Sequence, residues 1–374
     1  MKLSWHFQKP THWGGELVNA PYVKVIDPSE DNPFPNSNVI GRLTLQGNGD
    51  QVEDQLWRKG TAGADEYFAM VQQRYEKRLW VHAWEAVNEP HPQTEQEIGI
   101  FVAFTKRWAE LMRTRGYRTV GLSLAEGWPE PQVAKYYKDC LPYLDYVALH
   151  EYGAPTMQSG ATWHCLRYRR TYDEWKQVLD VLPPLLITEC GIDGGAAAPP
   201  QPRKGWKTFA TEEQYWQQLL WYDSELKKDE YVIAAFIFTS GPFDTWLDFD
   251  FGESLSRRLN AAIAAAAPPV GYESHYVLMA QNVPHSWRRA LEGYFDRFKV
   301  TNGQSHDDAM AVHGLRHHIT LVGSPDCPYG VSQELEDYIR THGPQILIDR
   351  MTASNADELK TVADERVSSG HPFG

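Results

Sequence analysis

Val232-Ile-Ala-Ala-Phe-Ile-Phe238 is a short unbroken apolar run, mostly β-branched or aromatic, that stops abruptly at Thr239-Ser240-Gly241-Pro242. A run this short with no polar alternation is what a parallel strand shows when both of its faces are buried. Working outward, the same signature recurs in Tyr143 to Tyr152, which contains YVALH, and in Leu185 to Cys190. Further candidates are Leu3 to Gln8, Tyr22 to Asp27, Val39 to Leu45, Leu79 to Asn88 and Thr119 to Leu124, and the last strand extends over Val232 to Thr239. Amphipathic stretches fill most of the intervals: Ala64 to Arg78, Gln93 to Arg115, Glu130 to Lys138, Thr171 to Leu182, Glu212 to Lys228 and Ser254 to Ala266. Eight strands separated by helices over residues 1–267 are the arithmetic of a (β/α)8 TIM barrel, the α/β class. The first two connections are atypical. The first allows only a short helix around Gly15 to Asn19, and Pro28 to Asn38 reads as a loop because it holds three prolines.

The alanine-rich end Ala261 to Ala267 meets Pro268-Pro269, where a helix must stop, and the pattern then restarts. Tyr276 to Ala280, His318 to Gly323 and Ile346 to Met351 read as strands, with helices expected at Ser286 to Phe298, Ser332 to Thr341 and Ala356 to Ser368. Residues 270–374 are therefore expected to form a small parallel α/β accessory domain.

Thirty-six Lys and Arg stand against forty-nine Asp and Glu, a formal charge of −13. Such a chain lacks the basic stripe that phosphate backbones require, so neither nucleic acid nor an anionic membrane is an expected partner. No apolar stretch approaches the roughly 18 residues of a membrane span, and Met1-Lys2-Leu3 leads into Trp5-His6-Phe7 without a signal-peptide core. The expected location is cytoplasmic, or outside the cell by a signal not visible in this sequence. Cys140, Cys165, Cys190 and Cys327 form no CxxC pair and are expected to be free thiols.

Catalytic groups of such a barrel come from the carboxyl ends of its strands. Those ends are unusually polar here: His6 and Gln8, Lys24 and Asp27, Arg42, Glu85 through Glu89, His150-Glu151-Tyr152, and Glu189. Glu89 and Glu189 follow strands three apart in an eight-membered ring, so they face each other across the lumen. Two carboxylates flanking one bond suit glycoside hydrolysis, one protonating the leaving oxygen and the other attacking or stabilising the sugar carbon. Glu85, Glu126, Glu151, Asp193 and Asp248 are further acids near the same rim, and Trp13, Trp84, Trp128 and Trp246 are aromatics placed to stack on sugar rings.

The strings WEAVNEP at 84–90 and ITECGID at 187–193 resemble the acid/base and nucleophile motifs of the clan-A (β/α)8 retaining glycoside hydrolases, a superfamily that includes cellulases, mannanases and β-xylosidases. The resemblance implies that Glu89 is the acid/base, Glu189 the nucleophile and Asn88 the partner of the substrate 2-hydroxyl. It further implies that Tyr152 of the His150-x-Tyr152 pair hydrogen-bonds the nucleophile, that Arg42 lies beside it, and that no cofactor or metal takes part. Retention would place the carboxyls about 5 to 5.5 Å apart. On this reading Glu189 keeps a low pKa and Glu89, sharing the pocket with that charge, a raised one. One departure is that the eighth strand ends Phe238-Thr239-Ser240 without the usual tryptophan, leaving Trp246 in the following loop. The expected substrate is an oligo- or polysaccharide, neutral or basic rather than polyanionic, and the alternative is a glycan-binding or cell-wall-associated barrel without turnover. His306, Asp307, Asp308, His313, His317 and His318 are metal-ligand types without a ligand spacing and read as a solvated loop. The C-terminal pattern is faintly similar to small α/β cell-wall-binding modules.

Overall fold

The computed structural model describes residues 1–9, 18, 20–45, 49–125, 129–196, 204–266, 274–298, 300–311, 317–343, 346–370 and 372–373. The chain divides into two compact units, Met1–Ala264 and Ala265–Gly374.

In the first unit, strands β1 (Leu3–Phe7), β2 (Tyr22–Ile26), β3 (Asn38–Arg42), β4 (Ala83–Glu85), β5 (Thr119–Leu124), β6 (Tyr146–Gly153), β7 (Leu185–Ile192) and β8 (Val232–Ser240) pair in sequence order. All pairs are parallel, and β1 pairs with β8, so the sheet closes into a barrel. Around it run helices α1 (Gly49–Trp57), α2 (Thr61–Glu76), α3 (Glu95–Thr114), α4 (Pro131–Ala134), α5 (Arg167–Lys176), α6 (Trp206–Phe209), α7 (Glu212–Leu226) and α8 (Gly252–Ala266). Two helix starts are set by capping boxes, Thr94 with Glu97 on α3 and Thr211 with Gln214 on α7. Each satisfies two orphan N–H groups, and losing such a cap costs about 1 kcal/mol.

Side-chain alternation sorts the strand residues into two layers. Ile40, Ala83, Val120, Ala148, Leu186, Ala234 and Phe236 form an apolar plug inside the barrel. Their odd neighbours, Trp84 and Val147 among them, join the much larger core between strands and helices. Two residues further along several strands the inward positions become polar: Lys24 follows Tyr22, which packs against the plug, Glu85 follows Ala83, and His150 follows Ala148. Strict alternation from Leu186 would turn Thr188 inward and Glu189 out. A register irregularity on β7 removes that problem: Leu149 pairs with Ile187, yet His150 pairs with Glu189, so the extra residue aims Glu189 into the lumen. Cys190 then packs in the outer core.

The second unit is a parallel sheet of order β10-β9-β11-β12, from β9 (Ser274–Leu278), β10 (Thr301–Gly303), β11 (His317–Val322) and β12 (Leu347–Met351). Helices α9 (His285–Ala290), α10 (Glu292–Phe298), α11 (His306–Met310), α12 (Gln333–His342) and α13 (Ala356–Ser369) accompany it, with one apolar cluster around Trp287, Leu291, Tyr294 and Leu359 and another around Tyr276, Leu321 and Ile339. The single helix expected over Ser286 to Phe298 is two, and α1, β10 and α11 had no counterpart in the sequence reading. The short helix expected near Gly15 lies outside the described residues. All four cysteines are free thiols. No described helix is long and apolar enough to cross a membrane.

Candidate active site

Above the plug, the ends of β1, β2, β4, β6 and β7 bring seven ionisable side chains into one cluster. The Glu189 carboxylate is about one-tenth exposed, while Glu89 is 41% exposed. One oxygen of each lies within 4.8 Å of the other, with a nitrogen of His150 inside the same limit. His150 Nδ1 is 2.8 Å from Glu89 Oε1 and 3.6 Å from Glu189 Oε2. The Tyr152 hydroxyl donates to Glu189 Oε2 at 2.8 Å. On the other oxygen, Lys24 Nζ stands 3.5 Å from Glu189 Oε1 and His6 Nε2 3.6 Å. Lys24 also pairs with Glu85 at 2.7 Å, both side chains being fully buried.

Backbone geometry sets Glu89. It sits just past β4 with φ of 44°, in the left-handed region that L-residues seldom occupy, and its N–H bonds the Ser123 carbonyl. Strain of this kind costs of the order of 1–3 kcal/mol and persists where surrounding structure enforces it. The preceding Asn88 N–H donates to Glu53 Oε2 at 2.7 Å.

These contacts fix the charge states. Burial works against a charged His150, but Glu189, Glu85 and Glu89 outweigh it and push its pKa up to about 9. His6 goes the other way: burial, then the Lys24 charge, lower it to about 3, so it is neutral. Burial raises Glu189, yet the charges of His150 and Lys24 prevail and hold it below the usual carboxylate range. Tyr152 is raised far above the ordinary phenol value by burial and by Glu189, and so remains a hydrogen-bond donor. Glu89 corrects an expectation. The Glu189 anion was expected to raise it, and burial acts in the same direction, but the hydrogen bond and charge of His150, helped by Arg42 and Lys24, place it below its ordinary value. The expectation counted the neighbouring anion and omitted the cations. Of this pair, the proton therefore sits on His150.

Three more expectations change. Arg42 was placed beside Glu189; its guanidinium instead grips both oxygens of Glu53, at 3.0 and 3.2 Å, because α1 carries that buried glutamate against the end of β3. The cations at Glu189 are the protonated His150 and Lys24. Trp84, expected to stack on sugar, is buried on the outer face of β4 against Tyr75 at 4.4 Å between ring centroids, and a side chain at Gly41 would meet its ring. The acidic rim is largely compensated: Asp248 lies 3.9 Å from Lys204 and Asp250 3.7 Å from Lys207, Glu151 is buried and accepts the Arg167 N–H, and Asp193 accepts the Gly195 N–H.

Trp246 is half-buried and packs edge-on to Phe238 and Phe249, in a small aromatic group with Tyr152 beside the end of β8. Trp13, Glu126, Trp128 and His313 lie outside the described residues. His306 pairs with its neighbour Asp307, and His317 and His318 are buried in β11. Among the described residues, the group that could hold a metal is Glu89, His150 and Glu189. Its charge is already balanced by a proton on His150 and by Lys24, so a cation would have to displace that proton.

No family model and no curated protein matches this chain. Among solved structures it is similar to a family 128 (subgroup I) endo-β-1,3-glucanase from Amycolatopsis mediterranei in complex with laminarihexaose, at 12% identity and a TM-score of 0.45, over 71% of this chain and 99% of that one. A family 39 glycoside hydrolase from Bacteroides cellulosilyticus WH2 gives 10% identity and 0.48, over 73% and 65%. A family 5 enzyme from Prevotella bryantii B14 gives 13% and 0.42, over 62% and 80%. The chemistry is therefore read from the residues of the site.

Proposed function

We propose that this chain is a retaining glycoside hydrolase acting on a β-linked glycan, with Glu189 as nucleophile and Glu89 as acid/base. The observation that carries this reading is the approach of the two carboxylates to within 4.8 Å. An oxygen pair this close is in keeping with the carboxyl separation of about 5 to 5.5 Å that direct attack on the anomeric carbon uses, rather than with the roughly 6.5 to 9.5 Å that leaves room for an interposed water.

In the first step the anomeric carbon loses its bond to the leaving oxygen and gains one to a Glu189 oxygen, while a proton passes from Glu89 to the departing oxygen. In the second, water attacks that carbon, Glu89 takes its proton, and the Glu189 ester bond breaks. The environments fit the roles. Glu189 is kept ionised by Lys24 and by the Tyr152 hydroxyl, and Glu89, the more exposed, faces the side on which alcohol leaves and water enters. The Asn88 side-chain oxygen is buried without a hydrogen-bond partner among the described residues, an open acceptor for a sugar hydroxyl. Trp246 presents an aromatic surface near the same rim. No metal or organic group is required.

Glu189→Ala is expected to lose turnover of an activated aryl β-glycoside, and azide to restore it with inverted product. The wild-type product, followed by proton NMR at early times, is expected to keep the β configuration. Undiminished activity of Glu189→Ala, or a product of inverted configuration from the wild type, overturns the assignment.

A further inference from the structure

Double displacement leaves one lumen carboxylate unused. Glu85 is fully buried, its Oε1 accepts from Ser123 Oγ at 2.7 Å, and its Oε2 pairs with Lys24 at 2.7 Å. Its Oε1 also lies 4.0 Å from His150 Nε2. The opposite ring nitrogen, Nδ1, is the one 2.8 Å from Glu89. His150 thus stands between two carboxylates: Nδ1 is hydrogen-bonded to Glu89, and Nε2, buried and without a hydrogen-bond partner among the described residues, lies close enough to Glu85 for that charge to steady a proton on it. Burying a carboxylate costs several kcal/mol unless its partners offset it, so its place directly above the apolar plug calls for a reason.

We propose that Glu85 is a positioning residue for the reaction: facing Nε2 of His150, it keeps a proton on that nitrogen, so that Nδ1 holds and returns the proton Glu89 uses. The inference rests on the glycosidase reading of Glu89. In the step, the Nδ1–H bond breaks as an O–H bond forms on Glu89 Oε1, leaving a neutral imidazole whose remaining proton faces Glu85. Glu89 passes that proton to the leaving oxygen. During hydrolysis Glu89 gains a proton from water and Nδ1 recovers it, so no net proton is consumed.

Among the described residues, charged and titratable groups reach the ring from several elements. Glu85 and Glu89 face it from β4 and the turn after it, Glu189 from β7, Lys24 from β2 through its pairs with Glu85 and Glu189, and neutral His6 from β1. Arg42 on β3 acts on Glu89, and the hydroxyls of Ser123 and Tyr152 bind Glu85 and Glu189. Removing the Glu85 charge deletes one of three anions supporting the imidazolium, so the Glu89–His150 pair must give up its proton at lower pH.

Two measurements test this on the full chain. Titration of ring-labelled histidines by NMR, with His150→Gln identifying the signal, is expected to show the His150 pKa fall by about one unit or more in Glu85→Gln. In kinetics, the alkaline limb of kcat/KM for a β-glycoside with a poor leaving group moves acidward by a similar amount, about tenfold in rate above the limb. A 2,4-dinitrophenyl β-glycoside, whose departure needs no acid, is little affected. An unmoved His150, or a uniform loss with the limb in place, overturns the proposal. Should Glu85→Gln fail to fold, Lys24→Met/Glu85→Leu replaces the buried pair by apolar groups. A fall of about half a unit is expected there, smaller because a like charge is lost as well, and no fall overturns the proposal. The NMR arm needs no turnover, so a chain inert to all β-glycosides that still shows the shift would sink the glycosidase reading and leave the Glu85–His150 link standing.

Discussion

Tyr152 makes one hydrogen bond to the carboxylate on which the chemistry turns, and its loss has a calculable direction. The bond favours ionised Glu189, and hydrogen bonds to charged groups contribute about 1.5–3 kcal/mol. Tyr152→Phe should therefore raise the pKa of Glu189 and move the acid limb of kcat/KM upward by roughly one to two units. Measured on a 2,4-dinitrophenyl β-glycoside, the profile isolates the nucleophile; an unmoved limb would count against that role. Glu89, Glu189, His150 and Tyr152 were legible in the sequence because each lies in a short string at a strand end, where local spacing decides position. Lys24 was visible as a lumen residue, but its pairing with Glu85 and Glu189 depends on the register between strands far apart in the chain. The sign of the Glu89 shift needed the cations around it, which no local string contains.

Elements decide which way those residues point. The β7 irregularity is what brings Glu189 beside His150, and nothing in LLITEC announces it, since parity alone turns Thr188 inward. Parity alone, by contrast, places Trp84 on the outer face, one position out of phase with Ala83 and Glu85. Helix α1 escaped notice because LQGNGD reads as a turn and the nine-residue helix after it shows few apolar positions. Yet α1 supplies Glu53 to Arg42 and to the Asn88 N–H. Glu53→Ala leaves a buried guanidinium without its bidentate carboxylate and should cost about 3–5 kcal/mol. It should also lower kcat, because the segment holding Glu89 loses an anchor. Trp84→Phe should cost roughly 1–3 kcal/mol with KM for a glycan unchanged, since its ring fills the outer core and touches no substrate. Urea unfolding and steady-state kinetics on both variants separate the two; a raised KM in Trp84→Phe would restore it to the site.

Across the whole molecule, the eight apolar runs made the barrel legible, and Pro268-Pro269 marked where its pattern ends. Each unit has its own buried titratable groups, whose pKa values give it a pH dependence. In the C-terminal unit His275 accepts or donates at Thr320 Oγ1, 2.7 Å away, and His318 stacks on Phe373. Burial, then neighbouring positive charge, lowers His275 to about 3; burial, against the pull of Asp349, lowers His318 to about 4. Both bind protons near pH 6.5 when unfolded and far lower when folded. The unfolded state then holds more protons between those values, so stability is complete above about pH 6.5 and declines as pH falls toward 4. The barrel shares that acid sensitivity through His6 and His82, lowered to about 3 and 4. His150 adds the opposite dependence there, because its pKa, raised to about 9, contributes stability below pH 6.5 that is lost as pH rises through 9. Hydrogen exchange on the full chain at pH 7.5 and 5, corrected for intrinsic rates, should show the amides of Tyr276–Leu278 and Ile319–Leu321 losing protection at the lower pH. In His275→Gln/His318→Gln that loss should largely vanish while the barrel strands keep theirs; equal pH dependence in variant and wild type would show that these two histidines do not govern the acid response of their unit.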